Sequence, residues 1–148
     1  PTGDHNYEIM YRRADTSTVP ATWNQSVDLR LTNDNDGSFL SNYPKVAVGP
    51  VGSAYEAYVI VVWEDARNAS NLQSEYPNTD LYLKYSWSDG EEGSWSEDLQ
   101  ITSVAEEFRS AYFASVAVDG DGRVHVVYTE SDGSGGRAVM YTSANLAE

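Results

Sequence analysis

The feature that most limits what this chain can fold into is a self-similarity at a spacing of 70 residues. From Ser26 to Val48 the register runs without a gap: Ser26/Ser96, Asp28/Asp98, Leu29/Leu99, Thr32/Thr102, Val46/Val116 and Val48/Val118. Between the copies lies one complete unit, residues 43–102. It holds the runs Tyr43 to Val48, Tyr58 to Trp63, Leu81 to Trp87 and Asp98 to Thr102, divided by turns rich in Gly, Asp, Asn and Ser. Short β-branched and aromatic runs joined by such turns form an up-and-down antiparallel sheet. No stretch keeps apolar residues at helical spacing long enough to compete.

Parts of the unit recur on both sides. Val116-Ala117-Val118, Val126-Val127-Tyr128 and Val139 to Ser143 match its first three runs, while Ile9 to Arg13 and Ser26 to Thr32 match its third and fourth. A four-stranded sheet repeated roughly every 50–70 residues is the sequence signature of a β-propeller blade. With the strands of a blade lettered A to D, residues 1–32 supply C-D of a first blade, 43–102 a complete one, and 111–145 strands A-C of a third. The expected fold is all-β: four-stranded antiparallel sheets packed face to face, A strands innermost, in an incomplete ring. Propellers close with about four to eight blades. A chain of 148 residues is therefore expected to be an excerpt of a longer protein or one part of an oligomeric ring.

The formal charge of -14 repels phosphate backbones and anionic lipid, which argues against nucleic acid and membrane surfaces as partners. With no cysteine, disulfides and thiolate metal sites are excluded. The longest apolar run, Ala57 to Trp63, is far short of a membrane span, so no membrane insertion is expected. Asp34-Asn35-Asp36-Gly37 is the one place that invites calcium. It lacks the late bidentate Glu and further oxygens of a calcium loop, and reads as an Asx/Gly turn. His125 lies mid-strand without a second histidine nearby, which suits a packed strand residue better than a ligand. No cofactor is expected.

The turn from Ser86 to Trp95 resembles the Asp-box of sialidase-like propellers (BNR repeats), which reads Ser-x-Asp-x-Gly-x-x-Trp between strands C and D. Asp89, Gly93 and Trp95 stand in its recognisable positions. Ser86 and Ser88 fall one residue to either side of the serine position, and the loop is one residue longer. The physics of such a turn asks Asp to accept backbone N–H groups, Gly to supply φ > 0, and Trp to pack beneath. Asp15 and Trp23 form a looser copy without glycine, and Ser143-Ala144-Asn145 resembles the start of a third. In that family the Asp-box is a folding element away from the active site, so it implies no chemistry.

Catalytic members of the family grip a sugar carboxylate with three arginines and use an Asp acid/base and a Tyr nucleophile assisted by Glu. The first arginine comes from a Phe-Arg-Ile-Pro motif opening strand A. Here the matching stretch is Ser41-Asn42-Tyr43-Pro44, with Asn42 in the arginine position, and Ala111-Tyr112-Phe113-Ala114 also lacks it. Asn cannot form a bidentate, charge-assisted pair with a carboxylate. Trp63-Glu64-Asp65-Ala66-Arg67 resembles the Asp-x-Arg that follows strand B, where the arginine lines the sugar site. Asp65, Arg67 and Asn68 are thus the candidate ligand-binding residues; the competing reading is that Asp65 and Arg67 pair with each other and shape the loop.

The resemblance implies a secreted or cell-surface, non-catalytic segment that recognises a glycan or protein, or serves as a scaffold. Two alternatives stand beside it. One is a fragment of a catalytic sialidase or glycosidase whose other blades carry the missing residues. The other is a self-assembling unit, because open blade edges invite pairing with a second chain.

Overall fold

The computed structural model describes residues 7–15, 17, 22–23, 28–33, 40–72, 74, 77–105 and 109–146. Among them there are strands and turns and no α-helix. Strands β1 (Met10–Tyr11) and β4 (Leu29–Arg30) pair with each other, as do β2 (Ala14–Asp15) and β3 (Thr22–Trp23). Strands β5 (Ser41–Val48), β6 (Val59–Asp65), β7 (Asp80–Ser86) and β8 (Leu99–Gln100) form a four-stranded antiparallel sheet in chain order. Strands β9 (Ser110–Val118), β10 (Arg123–Ser131) and β11 (Arg137–Asn145) form a three-stranded one. The runs within 43–102 and 111–145 form separate antiparallel sheets, and the described strands before residue 32 form two two-stranded pairs. The Asp34–Asp36 turn lies outside the described residues.

The centre of the middle sheet, β6 with most of β7, is buried on both faces, which explains why β6 is apolar at every position from Val59 to Trp63 instead of alternating. Ile60 and Val62, with Leu81 and Leu83, pack against Ala111, Ala114, Val124, Val126 and Tyr128 of the three-stranded sheet. Val61 and Trp63 point the other way and pack with Tyr82 against Ile9 and Leu31 of the N-terminal pair. Among the described residues the middle sheet thus lies between the β1-β4 pair and the three-stranded sheet, with β9 against β5, β6 and β7. Each fully buried Val, Ile or Leu in these layers contributes about 1.5–3 kcal/mol.

The sequence repeat is carried by a repeated set of hydrogen bonds. Thr102 Oγ1 accepts the Leu81 N–H (2.9 Å) and donates to the buried Asp80 carboxylate (3.0 Å), which Gln100 also reaches. Seventy residues earlier Thr32 Oγ1 accepts the Ile9 N–H (2.9 Å) and bonds Glu8, which Arg30 also reaches. The adjoining ladder repeats as well, with the Leu31 N–H on the Ile9 carbonyl and the Ile101 N–H on the Leu81 carbonyl, both 2.8 Å. One threonine thereby ties the third and fourth strands of each of these two units through a buried or half-buried carboxylate.

The turn from Ser86 to Trp95 is tight and left-handed at Asp89 (φ 50°), Gly90 (φ 76°) and Gly93 (φ 84°). Its acceptor differs from the one expected. Ser86 Oγ, buried at the mouth of the turn, takes the N–H groups of Ser88 (3.2 Å) and Gly90 (2.9 Å) and bonds Ser94 Oγ (2.6 Å). Asp89 sits exposed at the tip, where its main chain donates to the Ala57 carbonyl and accepts from Arg13. Trp95 packs beneath as expected, edge-on to Tyr11 at 5.1 Å. A side chain at Gly90 would collide with the same Tyr11 ring, so both space and φ demand glycine there. In the looser copy, Asp15 and Trp23 do join paired strands, but Trp23 is 57% exposed.

Candidate functional site

The three residues singled out in the sequence come together at the end of β6. Asp65 closes that strand, 1% exposed, and its carboxylate is surrounded by donors. Oδ2 accepts from Ser41 Oγ (3.0 Å), Trp63 Nε1 (2.9 Å) and Arg67 Nη2 (2.7 Å), while Oδ1 accepts from the Arg67 N–H and Nε (both 2.9 Å). Burial pushes the Asp65 carboxyl up, but the bonds from Arg67 and Trp63 outweigh it and hold the group below the usual carboxylate range. Burial pulls Arg67 down; its bonds to Asp65 and then Asp98 reverse this and raise it.

Arg67 is shared further. Its Nη2 meets Asp98 at 2.9 Å and its guanidinium lies 4.2 Å over the Tyr82 ring, whose hydroxyl accepts from Asn68 Nδ2 (2.7 Å). Asp98 also binds Lys84 (3.2 Å), which caps the Leu31 carbonyl of the N-terminal layer (3.1 Å). The cluster is a clamp: it joins the end of β6, the approach to β8 and the neighbouring layer. The bidentate fork of Arg67 is spent on Asp65, the geometry of the pairing alternative.

A second arrangement lies at the seam between the middle and the three-stranded sheets. Tyr43 in β5 and Phe113 in β9 occupy equivalent places, 70 residues apart, and both are left-handed, at φ 50° and 55°. Each sits at an interruption of strand register, between Asn42 and Lys45 in one sheet and opposite Val127–Thr129 in the other. The two residues are 59% and 66% exposed. Tyr112 meets Phe113 edge-on at 4.9 Å, and Arg137 lies over Tyr112 at 5.8 Å.

Glu64 links the two bulges. It is buried, pairs across the strands with Asn42, and accepts the Phe113 N–H at 2.8 Å. Burial raises its carboxyl above the ordinary range, against the opposing pull of the Phe113 N–H and Lys45. Beside it the buried Asn42 Oδ1 has no partner among the described residues. The seam therefore holds two exposed aromatic residues beside a buried carboxyl that accepts the Phe113 N–H and a buried carbonyl oxygen without a partner among the described residues.

The chain matches no protein-family model, no curated protein and no solved structure. Chemistry must therefore be read from the residues. Among the described residues no group of three or more His, Asp or Glu is placed to hold a metal ion. His125 bonds Asp119 (3.1 Å) and Tyr141 (2.9 Å) across the outer face of the three-stranded sheet. Tyr43, Glu64 and Phe113 were within reach of sequence reasoning: both aromatics follow the 70-residue register, and Glu64 stands beside Asp65. What the sequence does not display is the positive φ that turns the two rings outward.

Proposed function

We propose that the chain is a β-propeller segment that binds a neutral carbohydrate without cleaving it, at the seam holding Tyr43, Phe113, Glu64 and Asn42. The observation that carries this reading is strain without compensating burial. A non-glycine residue in the left-handed region costs about 1–2 kcal/mol, and such outliers cluster at ligand sites. In a core the packing of the ring offsets that cost. Here both rings stand mostly in solvent, at equivalent positions of two neighbouring sheets. A rigid, preorganised aromatic face loses little entropy when a flat sugar ring stacks on it.

The polar groups fit the same ligand. Asn42 Oδ1 is a buried acceptor without a partner among the described residues, which costs about 1–3 kcal/mol and is relieved if a side-chain shift on binding brings a sugar hydroxyl to it. The charge of -14 disfavours an anionic sugar. Asn42 and Tyr112 occupy the positions where a sialidase would carry arginine, which favours recognition over hydrolysis. The blade reading is supported by the 70-residue register, the repeated threonine–carboxylate tie and the serial face-to-face layers. A glycan-binding segment of this kind works outside the cell, secreted or at the cell surface.

Titration calorimetry with a panel of neutral oligosaccharides and sialyllactose tests the reading. A neutral member is expected to bind, Phe113→Ala to weaken it at least about tenfold, equal to about 1.4 kcal/mol, and Arg67→Ala to leave the affinity of the folded fraction unchanged. Binding of sialyllactose that depends on Arg67 and ignores Phe113 would instead place the site at the Asp65 clamp.

A further inference from the structure

The seam carries its exposed aromatic residues in duplicate. Tyr43 and Phe113 stand 70 residues apart at the same place in the repeat, each at an interruption of strand register and each left-handed, at φ 50° and 55°. They belong to different sheets, Tyr43 to the middle one and Phe113 to the three-stranded one, and these sheets pack together with β9 against β5. Sheets packed in this way lie about 10 Å apart. The separation is fixed as well as short. Glu64 faces Asn42 across β5 and β6 and accepts the Phe113 N–H at 2.8 Å, which ties one bulge to the other. Tyr112 braces Phe113 edge-on at 4.9 Å. A sugar ring stacked on one aromatic face lies about 3.5–4.0 Å from it, which leaves the second platform out of its reach.

We infer that Tyr43 and Phe113 are two separate stacking platforms, and that the ligand is an unbranched neutral oligosaccharide of at least three units that engages both at once. This rests on the carbohydrate reading of the seam and adds to it the length and linear form of the ligand. A single sugar occupies one platform and gains little. Once a longer ligand sits on Phe113, its far end meets Tyr43 at an effective concentration set by the linkage and not by the solution. The unit between the two rings passes the stretch that holds Asn42 and Glu64. Because the Glu64 bond already holds the platforms at one separation, little freedom is lost when a ligand bridges them. Two like platforms also suit a chain of like units better than a branched glycan with one distinctive end.

Calorimetry of the 148-residue chain with β-1,4-linked oligomers of glucose, xylose, mannose and N-acetylglucosamine, one to six units long, tests the inference. In the series that binds, affinity is expected to rise at least tenfold from one unit to three and then to level off. Tyr43→Gly and Phe113→Gly remove the ring while easing the positive φ, so lost folding does not stand in for lost binding. Each is expected to weaken the trisaccharide at least fivefold, and the double variant to bind it no better than the single sugar. Tyr43→Trp keeps a flat ring and is expected to stay within twofold of wild type. Equal affinity at one unit and at three, or a trisaccharide indifferent to Tyr43→Gly, overturns the two-platform inference and leaves the seam a single site. A single sugar that needs both residues overturns it as well, because the two then clasp one ring. Binding by no series overturns this inference together with the carbohydrate reading.

Discussion

Adjacent residues Glu64 and Asp65 face opposite layers of the molecule and respond oppositely to pH. Asp65 has a native pKa below its unfolded value of about 3.9. Its contribution is present above that pH and disappears as pH falls through the lowered native value. Glu64 has a native pKa above its unfolded value of about 4.3. Its contribution is complete below that pH and is lost as pH rises through the raised native value. Urea midpoints measured across pH are expected to separate them. Asp65→Asn removes the acid-side loss, and Glu64→Gln, which keeps an acceptor for the Phe113 N–H, flattens the decline above the ordinary carboxylate range. At neutral pH, Asp65→Ala leaves the Trp63 N–H without its acceptor and Arg67 with Asp98 alone, and is expected to cost about 1–3 kcal/mol.

The same scale holds the test of strain. Phe113→Gly relieves the positive φ while giving up a mostly exposed ring, so its stability is expected to stay within about 1 kcal/mol of wild type. Phe113→Ala gives up the ring and keeps the strain, so it is expected to be the less stable of the two. If Phe113→Gly were several kcal/mol less stable in denaturant unfolding, the ring would be packing after all, and strain would no longer point to a ligand.

Among the elements, the legible ones are those in which pattern and packing agree. β6 and β7 could be read because an apolar run bounded by turn residues has few alternatives in a doubly buried sheet. The tie at Thr32 and Thr102 was visible only as a register match; that both threonines bridge a backbone N–H and a carboxylate emerges from the folded geometry. The Ser86 turn shows the limit of motif reading. Asp89 has the expected identity, but with the chain left-handed at that residue, the nearer hydroxyl of Ser86 satisfies the turn. Trp63 ties the middle sheet to the N-terminal layer, fully buried and stacked on Tyr82 at 6.2 Å. Trp63→Ala is expected to cost about 3–5 kcal/mol and to release the layer containing Ile9 and Leu31, seen as early amide exchange there.

At the scale of the whole molecule, the repeat spacing conveyed the all-β class and the serial stacking because each unit can bury its faces only against a neighbour. The candidate site was less legible for a physical reason. The charged residues that stand out in the sequence, Asp65 and Arg67, satisfy one another once folded. The groups left unsatisfied are an asparagine carbonyl, a buried glutamate and two aromatics, whose roles depend on backbone conformation. The most direct measurement is an amide NMR titration of the 148-residue chain with the neutral oligosaccharide that binds best in calorimetry. The expected result is a saturable shift centred on the Phe113 amide, which reports its bond to Glu64, and on Tyr43, with Arg67 and Asn68 unmoved. Shifts confined to Arg67, Asn68 and their loop, with Phe113 and Tyr43 unchanged at saturation, would contradict the seam as the binding site.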